Sequence, residues 1–190
     1  MSRAGSEGGE MAEIPAGGVI ADFLAEDHRR LDALLQATDA HPGRIDREAY
    51  DQFRAGLLRH IGMEEKLLLP ALQRWRGGEP LPVAARLRLD HGALATLLMP
   101  TPTAQILATI RRILSEHNRI EEGPDGLYAL CGQLPDTEAT RLWDALRAAP
   151  TVSVMRHSDS PAVMKTLAGA LARAGYRLEA LAPREEGESR

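Results

Sequence analysis

The chain has 190 residues, a net charge of −4 and a single cysteine, which allows one domain with a full hydrophobic core and an appendage but not two large domains. Acidic and basic residues are well mixed, so no broad cationic surface competes for phosphate backbones and nucleic acid is not expected as a partner. Cys131 alone cannot form an internal disulfide or supply a thiolate metal cluster, so any bound metal would be held by nitrogen and oxygen.

Abundant Ala, Leu, Arg and Glu, with only 4% aromatic residues, predict a mostly α protein. Residues 1–17 lack apolar periodicity and read as a disordered tail, without the cationic start and apolar core of a secretory signal. No apolar run approaches the roughly 20 residues of a membrane-spanning helix, so a cytoplasmic protein without membrane contact is expected. A first helix is predicted from about residue 19 to 38, with Leu24, His28, Leu31 and Leu35 as its inner seam. His41-Pro42-Gly43 is a turn. Asp46 is a good N-cap for a second helix that runs to about Trp75, where Gly77-Gly78-Glu79-Pro80 stops it. Its seam reads Phe53, Leu57, His60, Glu64, Leu67 and Ala71. Pro70 cannot donate to the carbonyl of Lys66 and should bend the helix, or end its regular part, one turn beyond Glu64.

A third helix opens near Pro82 and carries the seam Ala84, Leu87, His91, Leu94 and Leu98. In Pro100-Thr101-Pro102-Thr103 that helix ends and a fourth begins, with Thr101 as its cap and Pro102 at its first position. The fourth seam is Ile106, Ile110, Ile113, His117 and Ile120, with Glu121 one turn after His117. Gly123-Pro124-Asp125-Gly126 should break the chain before a further helical stretch through Leu127, Tyr128 and Leu134. Asp136 then caps a helix containing Trp143 and Leu146 that ends before Pro150. Beyond Thr151 the pattern fits either a small strand-helix-strand appendage or an arm packed on the bundle; in both, Ser160-Pro161 starts a helix that Gly175 ends. The predicted organisation is a tail (1–17), a helical bundle (18–134), a C-terminal helical extension (135–181) and a charged, disordered tail (182–190).

Four of the six histidines occupy the inner seams of four successive helices, one per helix. If a seam takes roughly three helix positions in ten, chance placement of all four is on the order of one per cent. Two of them begin His-x-x-x-Glu pairs, His60 with Glu64 and His117 with Glu121. Positions four apart differ by only about 40° around a helix, so each pair points the same way, inward. Burying an ionised carboxylate without a partner costs several kcal/mol, and no seam Lys or Arg is available. A bound metal satisfies all six groups, since neutral imidazole and carboxylate suit mid-series transition metals. Two divalent ions match four His and two bridging Glu.

The arrangement is also repeated. Asp27-His28-x-x-Leu31 followed by His60-x-x-x-Glu64-Glu65 recurs as Asp90-His91-x-x-Leu94 followed by His117-x-x-x-Glu121-Glu122. Each half is a helical hairpin with two His and one Glu, and two such hairpins make a four-helix bundle of the kind whose core builds dimetal sites.

These motifs, and His60-x-x-x-Glu64-Glu65-x-x-x-x-Pro70 in particular, resemble the hemerythrin-like family, or HHE cation-binding domain, over about residues 19–134. The resemblance implies an all-α, up-down-up-down four-helix bundle holding two non-haem iron ions, oxo- or hydroxo-bridged. Its matching positions imply His28, His60, Glu64, His91, His117 and Glu121 as metal ligands, with Glu64 and Glu121 as candidate bridges. Oxygen-carrying hemerythrins have a further histidine one turn after the one on the third helix; that position here is Ala95. A four-histidine, two-glutamate set resembles instead the di-iron centres of repair-of-iron-centres proteins and of iron-sensing hemerythrin-like domains. The implied function is binding of, or reaction with, dioxygen, nitric oxide or peroxide, in stress response or iron-centre repair. The alternative is an iron- or oxygen-sensing module whose C-terminal arm signals to a partner without turnover; no residue pattern decides between enzyme and sensor. Absence of a Glu-x-x-His pair or a His-Glu-x-x-His motif argues against a ferritin-like enzyme and a zinc protease.

Asp27, Asp32, Glu65, Asp90 and Glu122 are candidates for holding the outer ring nitrogens of such ligands. Met63 and Tyr128 are expected as core residues lining the pocket and Cys131 as a small buried hydrophobe. His157 would be an extra ligand only if the C-terminal arm folded across the bundle.

Overall fold

Apolar seams separated by Pro and Gly breaks fold into a succession of helices. The computed structural model describes residues 16–178. In it α1 (Ala16–Thr38), α2 (Arg47–Met63), α3 (Leu69–Trp75), α4 (Ala84–Leu97) and α5 (Ala104–Glu122) build an up-down-up-down bundle, α2 and α3 being joined into one rod by a π turn (Glu64–Leu68). A 3₁₀ turn (Tyr128–Gln133), α6 (Asp136–Arg147) and α7 (Pro161–Ala174) follow. The predicted tails lie outside the described residues except for residues 16 and 17, which start α1. Tertiary packing accounts for that early start: Gly17 lies so close to the 3₁₀ turn that a Cβ there would stand 2.1 Å from the Cys131 carbonyl oxygen. No helix among the described residues is long and apolar enough to cross a membrane.

Pro70 acts differently from expectation. Regular α-helix gives way at Glu64 itself, and the Leu69 N–H reaches back five residues to the Glu64 carbonyl. Pro70 then falls in the first turn of α3, where a missing N–H costs little. The π turn inserts one residue into the helix, so every inner position beyond Glu64 moves on by one. Leu68 and Leu72 are buried in place of the predicted Leu67 and Ala71, which are only partly covered.

Two caps also differ. Asp46 caps α2 as expected, accepting from Glu48 N and Ala49 N. Thr103, not Thr101, caps α5, its hydroxyl accepting from Ile106 N. Thr101 is engaged elsewhere: its N–H and hydroxyl both donate to Asp159, at 2.8 and 2.7 Å. For α6 the cap is Pro135, whose carbonyl accepts from Glu138 N and Ala139 N. Asp136 becomes the first helical residue, where its charge still faces the positive end of the helix dipole.

Of the two arrangements for the C-terminal region, the packed arm is the one formed. Residues 151–160 have no regular structure, and there is no β-strand among the described residues. The arm is tied down by the Ser158 N–H on the Met99 carbonyl and by Arg54, only 5% exposed, which donates to the Leu98 and Met155 carbonyls. Ser160 and Gly175 cap α7, whose Leu167, Leu171 and Ala174 join Leu94, Leu97 and Ile110 in one apolar core. A second core gathers Ile20, Leu24, Met63, Leu68 and Leu87 with Tyr128 and with Leu142 and Leu146 of α6. Along all four bundle helices the histidines fall between these two cores, in a polar layer bounded by apolar packing above and below.

The Gly123–Gly126 break folds the chain back over that layer. A Cβ on Gly126 would meet the Glu121 and Ile120 carbonyl oxygens at 2.4 and 2.6 Å, whereas one on Gly62, inside α2, would meet nothing within 4 Å. Gly126→Ala is therefore expected to destabilise by about 1–3 kcal/mol through overpacking. Gly62→Ala should gain up to about 1 kcal/mol from helix propensity. Urea unfolding midpoints of the two variants against the parent check both signs.

Candidate metal centre

Each bundle helix brings one imidazole to the polar layer, and α5 and the π turn each add a carboxylate. His28, His60, Glu64, His91, His117 and Glu121 are all buried, both glutamates completely. They form two groups that could hold a metal ion: His28, His60, Glu64 and Glu121, and Glu64, His91, His117 and Glu121, with one ligand atom per residue inside 4.8 Å of the others in each group. All six sequence-derived candidates are thus brought together. Glu64 and Glu121 belong to both groups, one oxygen turned to each. Glu64 Oε1 lies 3.2 Å from His60 Nε2 and Oε2 3.1 Å from His91 Nε2. Glu121 Oε2 lies 3.4 Å from His28 Nε2 and Oε1 3.1 Å from His117 Nε2.

A ring of carboxylates stands behind the histidines. Asp27 on α1 takes His60 Nδ1 at 3.0 Å, and Glu65 of the π turn takes His91 Nδ1 at 2.7 Å. Asp90 on α4 faces His117 Nδ1 at a looser 3.5 Å, and Glu122 on α5 closes the ring on His28 Nδ1 at 2.5 Å. Each of these acids adjoins a member of the cluster in sequence yet serves the histidine of the next helix round. Asp32, the fifth candidate, is solvent-exposed and accepts from Gln36 instead. Arginines steady three of the four: Arg30 on Asp27, Arg88 on Glu65 and Arg86 on Asp90.

This outer ring decides what the inner nitrogens can do. An imidazole that donates from Nδ1 presents a lone pair at Nε2. The Nε2 atoms of His28 and His60 stand 2.9 Å apart, and those of His91 and His117 3.1 Å apart. Two lone pairs at that distance repel unless a cation sits with them. Glu64 Oε2 and Glu121 Oε1, buried and without hydrogen-bond partners, add anionic oxygens to the same space. The donor set therefore fits metal ions bound through nitrogen and oxygen.

Without metal, protons take the cation's place. Burial alone would lower the His60 pKa, but the Glu64 charge, the Asp27 bond and Glu121 outweigh it and raise it to about 10. His117 is likewise raised to about 10 against burial, by Asp90, Glu121 and Glu64, and His91 is raised by Glu64 and Glu65. Glu64 is held well below the usual carboxylate range despite its burial, by His60 and His91.

A family model, the hemerythrin HHE cation binding domain, matches residues 19–147. The chain belongs to the hemerythrin HHE family. Comparisons with curated proteins and with solved structures returned no match. The HHE match takes in α6, whose Trp143 packs edge-on against Phe23 of α1 at 5.3 Å. The family binds cations, and this HHE domain has two buried His/Glu clusters that could hold them.

Other sequence candidates resolve differently. His157 lies on the folded arm but stacks on Tyr50 and faces Asp51 at 3.6 Å, and it is in neither cluster. Met63 and Cys131 are buried in the second core, where burial pushes the Cys131 thiol up to about 12. Tyr128 does more than line the pocket: its hydroxyl donates to Glu64 Oε1 at 2.7 Å. Arg86 had no sequence signal, because its role depends on α7: besides Asp90 it donates to the Ala174 carbonyl and to the Tyr176 hydroxyl.

A pH dependence follows from the raised imidazoles. Unfolded histidine titrates at 6.5, so the stabilisation from protonated His60 and His117 is fully present below pH 6.5 and lost as pH rises through about 10. Metal-free protein is expected to lose thermal stability across that window, while metal-loaded protein, whose imidazoles carry no proton at Nε2, should not. Melting curves of both forms at a series of pH values check this.

Proposed function

We propose that this HHE protein holds two non-haem iron ions and uses them to bind or react with a small oxidant such as dioxygen, nitric oxide or peroxide. The observation that carries the reading is the doubled N₂O₂ arrangement, with Glu64 and Glu121 each turning one oxygen to either half. In this assignment His28 and His60 would hold one ion and His91 and His117 the other, with Glu64 and Glu121 available to both. Bound iron would supply the redox chemistry toward the oxidant. The chain's own residues set its surroundings: Asp27, Glu65 and Glu122 fix the orientations of His60, His91 and His28 by hydrogen bonds, Asp90 faces His117, and the two apolar cores keep bulk water from the layer. Before metal binds, Tyr128 holds the Glu64 carboxylate in place by its hydroxyl. Ala95, one turn after His91 where carriers place a histidine, adds no nitrogen, which leaves a position on the His91 side for an exogenous ligand. A groove of about 370 Å³ beside Asp32, Arg111 and Asn118 reaches His28 and gives a small molecule a way toward the cluster.

Protein expressed in iron-supplemented medium and purified in air is expected to contain about two irons per chain, with near-ultraviolet charge-transfer absorption. Metal-free protein from such a preparation would contradict the reading. Asp27→Asn, which keeps shape but removes the charge behind His60, should weaken iron retention by about 10–100-fold in a chelator competition. Peroxide decay by iron-loaded protein against Glu64→Ala separates a reactive centre from a passive one; equal rates would mean the site is not responsible.

A second reading, a sensor whose C-terminal arm reports metal occupancy, is favoured by one connection. His117 faces Asp90, Asp90 holds Arg86, and Arg86 holds the end of α7 through Ala174 and Tyr176. Stripping the metal would relax the first member of that series and loosen the last. Chelation is then expected to speed proteolysis within residues 148–178 several-fold, and Arg86→Ala should abolish the difference between loaded and stripped protein. Equal digestion rates with and without iron count against sensing.

A further inference from the structure

The sequence repeat makes the two halves of the cluster look equivalent, and the structure makes them unequal. Gly126, forced by its close approach to the Glu121 and Ile120 carbonyls, turns the chain so that the 3₁₀ turn delivers Tyr128 onto the first half. Tyr128 is 3% exposed. Its Oη lies 3.1 Å from His28 Nε2, 3.3 Å from His60 Nε2, 2.7 Å from Glu64 Oε1 and 3.4 Å from Glu121 Oε2. Those four atoms are the ones offered to one ion by the first group. Around a metal with bonds of about 2.0–2.2 Å, neighbouring ligand atoms stand about 3 Å apart. The phenol oxygen sits at that spacing from all four. Among the described residues, no corresponding oxygen approaches His91 Nε2 and His117 Nε2; their inner partners are each other, Glu64 and Glu121.

We infer that Tyr128 is a fifth protein ligand to the ion held by His28 and His60. This rests on the di-iron reading and makes its two ions inequivalent: the first has three oxygens and two nitrogens from the chain, the second two of each. Coordination replaces the O–H bond by an O–metal bond, and the phenolic proton, donated to Glu64 in the metal-free protein, leaves to solvent. The aromatic ring remains in the second core, packed with Leu24 and Leu68, so the ligand is held by apolar packing rather than by a flexible loop.

The chain has three tyrosines; the Tyr50 hydroxyl is buried without a hydrogen-bond partner among the described residues and the Tyr176 hydroxyl is bonded to Arg86 and Glu116, so the assignment is readable by spectroscopy. Ferric protein loaded with iron is expected to show a visible phenolate-to-iron charge-transfer band with resonance-enhanced tyrosinate vibrations. Tyr128→Phe should lose the band and the vibrations while keeping its iron content, and Tyr50→Phe and Tyr176→Phe should keep them. A parent protein that holds two irons without the band overturns the Tyr128 inference alone, whatever the fate of the variant. So does a band that survives in Tyr128→Phe. A parent protein that takes up no iron at all overturns the di-iron reading and this inference together.

Discussion

Everything in the bundle depends on four carboxylates placed behind four imidazoles. Six buried polar side chains in one layer are a large desolvation cost, and none of the usual apolar compensation is available to them. The outer acids turn that cost into a directed site. By taking Nδ1 of His60, His91 and His28, Asp27, Glu65 and Glu122 aim those Nε2 atoms inward, while Asp90 faces His117 Nδ1 at 3.5 Å without a hydrogen bond. Because each acid faces the histidine of the next helix, no single hairpin can complete its own part of the layer. The ring closes only when α1, α2, α4 and α5 are all in place, so forming the site and forming the bundle are one event.

The two apolar cores on either side make that layer decisive for stability as well as chemistry. Leu31, Leu57, Leu94 and Ile113 lie on one side, Leu24, Met63, Leu87 and Leu127 on the other. Electrostatic imbalance in the layer is therefore felt by both. Raised imidazole pKa values in the metal-free protein are the chain's own remedy for that imbalance, and a metal is the fuller one. The C-terminal arm is not independent of it either. Arg54 fixes the arm at one end of the bundle, and Arg86 ties the end of α7 to the acid behind His117.

What the sequence disclosed and what it withheld divide on physical lines. Helical periodicity is a local property, so the inner placement of His28, His60, Glu64, His91, His117 and Glu121 could be read directly. The acids behind them could be named only as neighbours, because Asp27 and Asp32 look alike until packing sets one against His60 and leaves the other in solvent. The π turn was hidden for another reason: Pro70 signals a disturbance, but only the tertiary fit of Leu68, Leu69 and Leu72 selects where the extra residue goes. Thr101 and Thr103 were equally good caps by local chemistry, and Asp159, far along the chain, decided between them. Tyr128 was a core aromatic by composition; the reversal at Gly126 is what gives its hydroxyl a place among the ligands.

The central claim is that the polar layer is a two-metal site built of nitrogen and oxygen. Iron-edge X-ray absorption of the loaded protein tests it most directly. The account predicts a first shell of nitrogen and oxygen only, with imidazole scattering and a second iron close to the first. A sulfur shell, or iron without a neighbouring iron, would contradict it.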